Sequence, residues 1–160
     1  MGRGQKILEV YGNGTMQRFH YCQDTGRLLR SRTEKFTQSG DTYTPQGTVI
    51  EDLGYVYDLG GNIIKVKSNI SGSGVGGGSA KLVKEYTYDA INRLLSATGR
   101  AHYAFDAAYI PGDISTYSDD ETTTTSYTEE YDYDVMCNML QVKHTGGGTH
   151  YRNFLYTSGT

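Results

Sequence analysis

The sequence predicts an all-β fold of antiparallel β-hairpins with little or no helix. Three observations point there. A Tyr-x-Tyr-Asp unit recurs, each copy leading into a short polar or glycine-bearing stretch: Tyr55-Val56-Tyr57-Asp58-Leu59-Gly60-Gly61, Tyr86-Thr87-Tyr88-Asp89-Ala90-Ile91-Asn92 and Tyr131-Asp132-Tyr133-Asp134-Val135-Met136-Cys137. The chain holds 21 Gly but only 2 Pro, a composition of many tight turns and few rigid breaks. No long segment carries a 3.6-residue apolar stripe with helix caps.

Each unit reads as a strand running into a turn. Tyrosines two apart share one face of a strand. The aspartate opens the turn by accepting hydrogen bonds from nearby backbone, and Gly61 or Asn92 tolerates the left-handed conformation that the turn needs. Tyr103-Ala104-Phe105-Asp106 is a degenerate fourth copy, and Phe19 to Leu28 is an earlier relative with one extra residue before Gly26. The aspartates at 58, 89, 106 and 134 are 31, 17 and 28 residues apart, too irregular for a solenoid of fixed repeats.

Taken in order, residues 5–11 form a strand and Asn13-Gly14 marks a hairpin. Thr15 to Tyr21 returns from it. Leu28 to Thr37 follows, with alternating charges at Arg30, Arg32 and Lys35. Residues 38–48, with Gly40, Pro45 and Gly47, read as a loop. Val49 to Asp58 and the stretch from Ile63 make the next pair. Residues 71–79 are a flexible Gly/Ser run. Leu82 to Asp89 pairs with Arg93 to Thr98. Residues 107–126 form a long polar loop. Thr128 to Asp134 pairs with Met139 to Lys143, and Tyr151 to Thr157 closes the series. The whole, residues 1–160, is read as one β-sheet domain carrying the loops 71–79 and 107–126.

Composition narrows the function. The 15 Tyr, with 4 Phe and no Trp, suit a sheet with wet faces, because a tyrosine buries its ring and keeps a polar tip. Mean hydropathy is −0.56. A net charge of −3 gives no footprint for nucleic acid. No apolar run is long enough to span a membrane, and Met1-Gly2-Arg3-Gly4 is followed by no signal-peptide core. Cys22 and Cys137 are read as free thiols.

Several candidate sites have plainer readings. The Tyr-Asp pairs offer rings and carboxylates to a sugar, but one aspartate per hairpin is what turns require, and cross-strand rings stabilise sheets on their own. His20, His102, His144 and His150 show no metal-binding spacing beyond a two-ligand pair, His144 and His150. Cys22 has no signature of a nucleophile. Asp119-Asp120-Glu121 lacks the ligand alternation of a calcium loop. The glycine run at 71–79 lacks the Lys-Ser/Thr of a phosphate-cradling loop. Asn13-Gly14-Thr15 and Asn69-Ile70-Ser71 fit the glycosylation pattern. No catalytic residue, cofactor or metal is expected.

The Tyr-x-Tyr-Asp-x-x-Gly/Asn units resemble the YD repeats of Rhs proteins. The likeness extends through Leu8 to Gly14, Thr25 to Leu28, Asp52 to Ile63, Tyr86 to Arg100 and Tyr131 to His144, in that order. Together these stretches resemble the Rhs region of the C component of insecticidal Tc toxin complexes. The resemblance implies a curved sheet strip, part of a hollow β-shell wound around an unfolded toxic segment. It implies a structural role without enzymatic activity, in a secreted complex. The implied partners are other shell segments or the B-type component, and the toxin cargo. Composition speaks against nucleic acid and a membrane span, and unpaired edge strands lead to the expectation that the isolated chain either self-associates through sheet edges or curls into a closed sheet. The family's self-cleaving Asp-Pro-x-Gly site has no counterpart, since no Asp-Pro occurs. Two departures stand out. Cys137 occupies the usual glycine place, which puts the turn geometry there in question. Tyr109 does the same after Asp106, so that copy is not expected to turn tightly. The rival reading is a stand-alone Tyr-rich β-domain that binds glycan or a protein partner.

Overall fold

The computed structural model describes residues 4–70, 82–102, 124–146 and 148–156. The degenerate copy at Tyr103 to Asp106, Tyr109, the run 71–79, the acidic triplet 119–121 and most of 107–126 lie outside the described residues. The chain divides into two compact units, Met1–Gly74 and Val75–Thr160.

The first unit is a five-stranded antiparallel meander. Its strands are β1 (Leu8–Tyr11), β2 (Thr15–Tyr21), β3 (Leu28–Ser39), β4 (Thr42–Tyr57) and β5 (Ile63–Ser68), each paired with the next. The second unit repeats the plan with β6 (Val83–Tyr88), β7 (Leu94–His102), β8 (Thr124–Tyr133), β9 (Met139–Thr145) and β10 (Thr149–Asn153). The described chain is therefore all-β and antiparallel throughout. Sequential neighbours joined by short turns need no crossover, which is why a purely antiparallel order results.

Four hairpins share one register. Tyr21 stands opposite Leu28, Tyr57 opposite Ile63, Tyr88 opposite Leu94 and Tyr133 opposite Met139, each with a register shift just before the tyrosine. The shift leaves Leu29, Ile64, Leu95 and Leu140 as extra residues, a bulge that sharpens strand twist at each turn.

One stretch differs from its reading as a loop. Residues 38–48 continue the sheet: β3 runs to Ser39, β4 starts at Thr42, and Gly40 turns the chain at φ +58°. Phe36 and Tyr43 hold this extension edge to face, with ring centroids 5.3 Å apart. Gly40, Pro45 and Gly47 read as breakers, yet Gly40 only turns the hairpin, Pro45 pairs with Phe36, and an irregular register between Glu34 and Phe36 absorbs Gly47.

Neither unit has a closed apolar core among the described residues. Met16 and Ala97 are the buried hydrophobic side chains, whereas Ser31, Glu34, Asp52 and Ser68 are the buried polar ones. A sheet with both faces wet gains stability mainly from cross-strand pairs and turn networks. Every residue of β10 is exposed. An exposed edge invites strand addition, and β10 carries a single formal charge, at Arg152, to oppose it. The isolated chain is expected to self-associate, eluting ahead of a 160-residue monomer in size exclusion with light scattering. A monodisperse monomer whose β1 and β10 amides exchange rapidly is the opposite result.

Candidate functional site

The repeat turns are the most elaborated feature of the described chain. After Tyr57, the Asp58 carboxylate accepts from the backbone N–H of Gly61 at 2.7 Å and of Asn62 at 2.8 Å, and from the Asn62 amide at 2.9 Å. Asp134 does the same toward the N–H of Met136 and Asn138, at 2.8 Å each, and the Asn138 amide at 2.8 Å. Asp89 accepts from the N–H of Ile91 and Arg93, and its second oxygen meets the Arg93 guanidinium at 2.6 Å. Each carboxylate is occupied by its own turn, an arrangement that holds backbone and leaves little capacity for proton transfer.

The third residue after each aspartate takes positive φ: Gly61 at +100°, Asn92 at +66° and Cys137 at +69°. Cys137 thus adopts the left-handed form despite its Cβ. The two Asp134 bonds that flank it, to Met136 and Asn138, fix the backbone there against that cost. In the earlier hairpin, Cys22 stands in the aspartate's place and the turn is one residue longer, with its N–H donating to the Arg27 carbonyl and Gly26 at φ +73°.

Hydrogen bonding holds all three turn carboxyls below the usual carboxylate range. The Asn62 amide is the largest cause for Asp58, the Arg93 backbone N–H for Asp89 and the Asn138 amide for Asp134. A depressed folded-state value means that the stabilisation is present above the ordinary carboxylate range and lost as pH falls through the folded values. Stability in urea is therefore expected to drop below about pH 4. A variant with Asp58, Asp89 and Asp134 all changed to Asn is expected to be less stable at pH 7 and to show a flatter acid limb. An unchanged acid limb would contradict this.

Two arginines tie neighbouring turns together. Arg27 donates through Nη1 to the Asp58 carbonyl at 2.8 Å and through Nη2 to the Leu59 carbonyl at 3.3 Å, with its guanidinium 5.6 Å from the Tyr57 ring centroid. Arg93 donates through Nη1 to the Asp134 carbonyl at 3.1 Å and lies 4.9 Å from the Tyr133 ring centroid. In each unit an arginine turn clamps the following asparagine turn. The sequence signal is the residue after the positive-φ position: arginine in Gly26-Arg27-Leu28 and Asn92-Arg93-Leu94, asparagine at 62 and 138. Arg27→Ala is expected to lower stability by about 1 kcal/mol, in the range of a single hydrogen bond. Arg27→Lys is expected to restore less than half of that, because a point charge cannot reach two carbonyls from one plane. Thermal denaturation of both variants checks it.

The paired tyrosines lie in the sheet. Tyr55 stands opposite Val66, Tyr86 opposite Ala97 and Tyr131 opposite Val142. The Tyr57 hydroxyl donates to the Leu28 carbonyl at 2.8 Å, and the Tyr131 hydroxyl to Glu129 at 2.6 Å. Burial and Glu129 push the Tyr131 phenol well above its ordinary range. His144 stacks on Tyr127 at 5.1 Å, faces Glu129 at 3.5 Å and sits 6.1 Å from His150. Among the described residues no group of three His, Cys, Asp or Glu side chains converges as a metal site. Cys22 and Cys137 are free thiols.

Sequence reasoning missed a second cluster on the first unit. Glu34 and Asp52 are fully buried on one sheet face. Arg18 and Arg32 both pair with Glu34, and Arg32 reaches Asp52 at 3.4 Å. Arg30 grips Asp52 through Nε at 2.7 Å and Nη2 at 2.5 Å. The fork holds the Asp52 carboxyl below the usual range and the Arg30 guanidinium above its own. The carboxylates are buried because register sets Arg18 opposite Arg32 and Arg32 opposite Asp52.

No family model matches the chain. It is 33% identical over 148 residues to toxin subunit YenC1 of Yersinia entomophaga, covering 89% of this chain and 14% of that protein. To toxin subunit YenC2 of the same organism it is 29% identical over 150 residues, covering 91% and 15%. Among solved structures it is similar to the crystal structure of TcdB2-TccC3-TEV, with TM-score 0.68 and 27% identity over 94% of this chain and 7% of that one. The crystal structure of TcdB2-TccC3-Cdc42 gives TM-score 0.66 and 28% identity with the same coverage. The chain spans about one seventh of the length of the curated relatives.

Proposed function

We propose that the chain is a non-enzymatic length of shell wall of the Rhs, or YD-repeat, kind, on its similarity to C-component subunits of Tc toxin complexes. The wall's work is enclosure: a continuous sheet keeps solvent and proteases from a toxic polypeptide held inside. The observation that carries this reading is the absence, among the described residues, of a closed core in either unit, alongside carboxylate networks that hold the turns after Tyr57, Tyr88 and Tyr133. Such a sheet is built to be continued by further strands. Its proposed partners are neighbouring shell segments, the B-type component and the cargo, within a secreted complex. Asp58, Asp89 and Asp134 serve as turn anchors in it, and Tyr55, Tyr57, Tyr86, Tyr88, Tyr131 and Tyr133 as the rings that knit strands.

The rival is a stand-alone domain binding glycan through its tyrosines. A glycan array probed with the purified chain separates the two. The wall reading expects no retained glycan at millimolar concentration, on the order of −4 kcal/mol or weaker. Micromolar binding abolished by Tyr86→Ala would overturn it.

A further inference from the structure

We propose that one face of the first unit, centred on Arg18, Arg30 and Arg32, is a docking surface for an acidic polypeptide segment in extended conformation. Residues opposite one another on paired strands share a face. One row runs Arg18, Arg32, Asp52, and the next runs His20, Arg30, Gly54, Lys67. Among the described residues, Glu34 and Asp52 are the carboxylates beneath the cations. Three guanidiniums over two carboxylates leave one positive charge, and Lys67 adds to it.

The cations are presented outward. The side chains of Arg18 and Arg30 are each 47% exposed, whereas those of Glu34 and Asp52 are 1% and 2%. Arg18 uses one nitrogen, Nη2, on Glu34, which leaves most of its donor fork directed elsewhere. Two hollows, of about 470 and 380 Å³, flank this row, and both are lined by Arg30 and Arg32. The larger one adds Arg18 and His20.

The spacing selects the guest. Arg30 and Arg32 are alternate residues of β3, so they stand about 6.6–6.8 Å apart along the strand. An extended guest repeats its own side chains on one side at the same interval. A Glu-x-Glu segment therefore brings one carboxylate over each guanidinium, where the positive charge left over from Glu34 and Asp52 attracts it. Single-stranded nucleic acid has a similar charge interval but needs stacking rings. Tyr55, adjacent to Gly54 on β4, points to the opposite face, and the rings that line the larger hollow are His20 and Phe19, which is why a thymidine oligomer is the competing probe. This surface is independent of whether the sheet encloses a cargo.

Fluorescence anisotropy tests it on the 160-residue chain. The probes are a labelled alternating Glu-Ser dodecapeptide, its Lys-Ser counterpart and a thymidine dodecamer. The Glu-Ser peptide is expected to bind, to weaken as salt rises, and to outcompete the thymidine oligomer, while the Lys-Ser peptide does not bind. Arg18→Gln with Lys67→Gln is expected to weaken the Glu-Ser peptide about tenfold, with the circular dichroism spectrum unchanged. Glu34 keeps Arg32 in that variant. If the double variant misfolds, Lys67→Gln alone, at an exposed position, is expected to weaken binding about threefold. No binding by the folded chain at low salt, unchanged affinity in a folded variant, or tighter binding of the thymidine oligomer would each overturn the proposal.

Discussion

Arg30→Ala is expected to destabilise the first unit by about 3 kcal/mol, read from urea denaturation at pH 7. The fork of Arg30 supplies the two short contacts to Asp52, a buried carboxylate. What remains is Arg32 at 3.4 Å and the Asn69 amide at 3.4 Å. Removing one member of a buried pair leaves the other charged and poorly solvated, which costs more than the pair contributes. The pH dependence follows in sign. In the native protein Arg30 holds the Asp52 carboxyl low, so its contribution is present at neutral pH and lost as pH falls. In Arg30→Ala that contribution is gone, and the acid limb flattens. Arg30→Met with Asp52→Leu is expected to recover most of the loss, since it removes the desolvated Asp52 carboxylate along with its partner. A double variant as unstable as Arg30→Ala would show that the pair itself is a net stabiliser.

Gly146→Ala is expected to cost a similar amount, about 3 kcal/mol. Gly146 sits at φ +150°, where side chains are rare, and an added Cβ would lie 2.5 Å from the Ser126 carbonyl oxygen and 2.7 Å from the Tyr127 Cα. Both are backbone atoms of β8, the strand paired with β9, so relief requires the sheet to part. Gly99→Ala is a graded comparison. Its Cβ would meet the Tyr127 hydroxyl at 2.6 Å, the far end of a side chain and not backbone. It is expected to cost about 1–2 kcal/mol. Gly148→Ala, whose nearest neighbour is 3.4 Å away, is expected to stay within about 0.5 kcal/mol.

The hairpins were legible because a strand repeats at two residues and a turn demands particular residues at fixed places. Tyr86-Thr87-Tyr88-Asp89 announces both. Residues 38–48 were not legible as strand, since Gly40, Pro45 and Gly47 each argue locally for a break, and only the partner strand shows Pro45 paired with Phe36 and Gly47 absorbed by an irregular register. The aspartates stand out by their place after Tyr-x-Tyr. The arginine clamps do not, because Arg27 and Asp58 are 31 residues apart and Arg93 and Asp134 are 41. Nor does the burial of Glu34 and Asp52: alternating charges along Leu28 to Thr37 look like a solvated face until register stacks arginines over carboxylates. Cys137 misleads in the other direction, since a residue type that disfavours positive φ adopts it where Asp134 bonds both neighbours.

The shell-wall reading is tested most directly by transplantation. The chain replaces the stretch of YenC1 that it matches over 148 residues, and the purified hybrid is challenged with protease. The measured quantity is the cleavage rate of a polypeptide segment carried at the C-terminal end of the hybrid. A wall segment predicts assembly, with the carried segment resisting cleavage until denaturant opens the sheet. A hybrid that folds and assembles, yet has its carried segment cut as fast as the free peptide, would contradict enclosure by this chain.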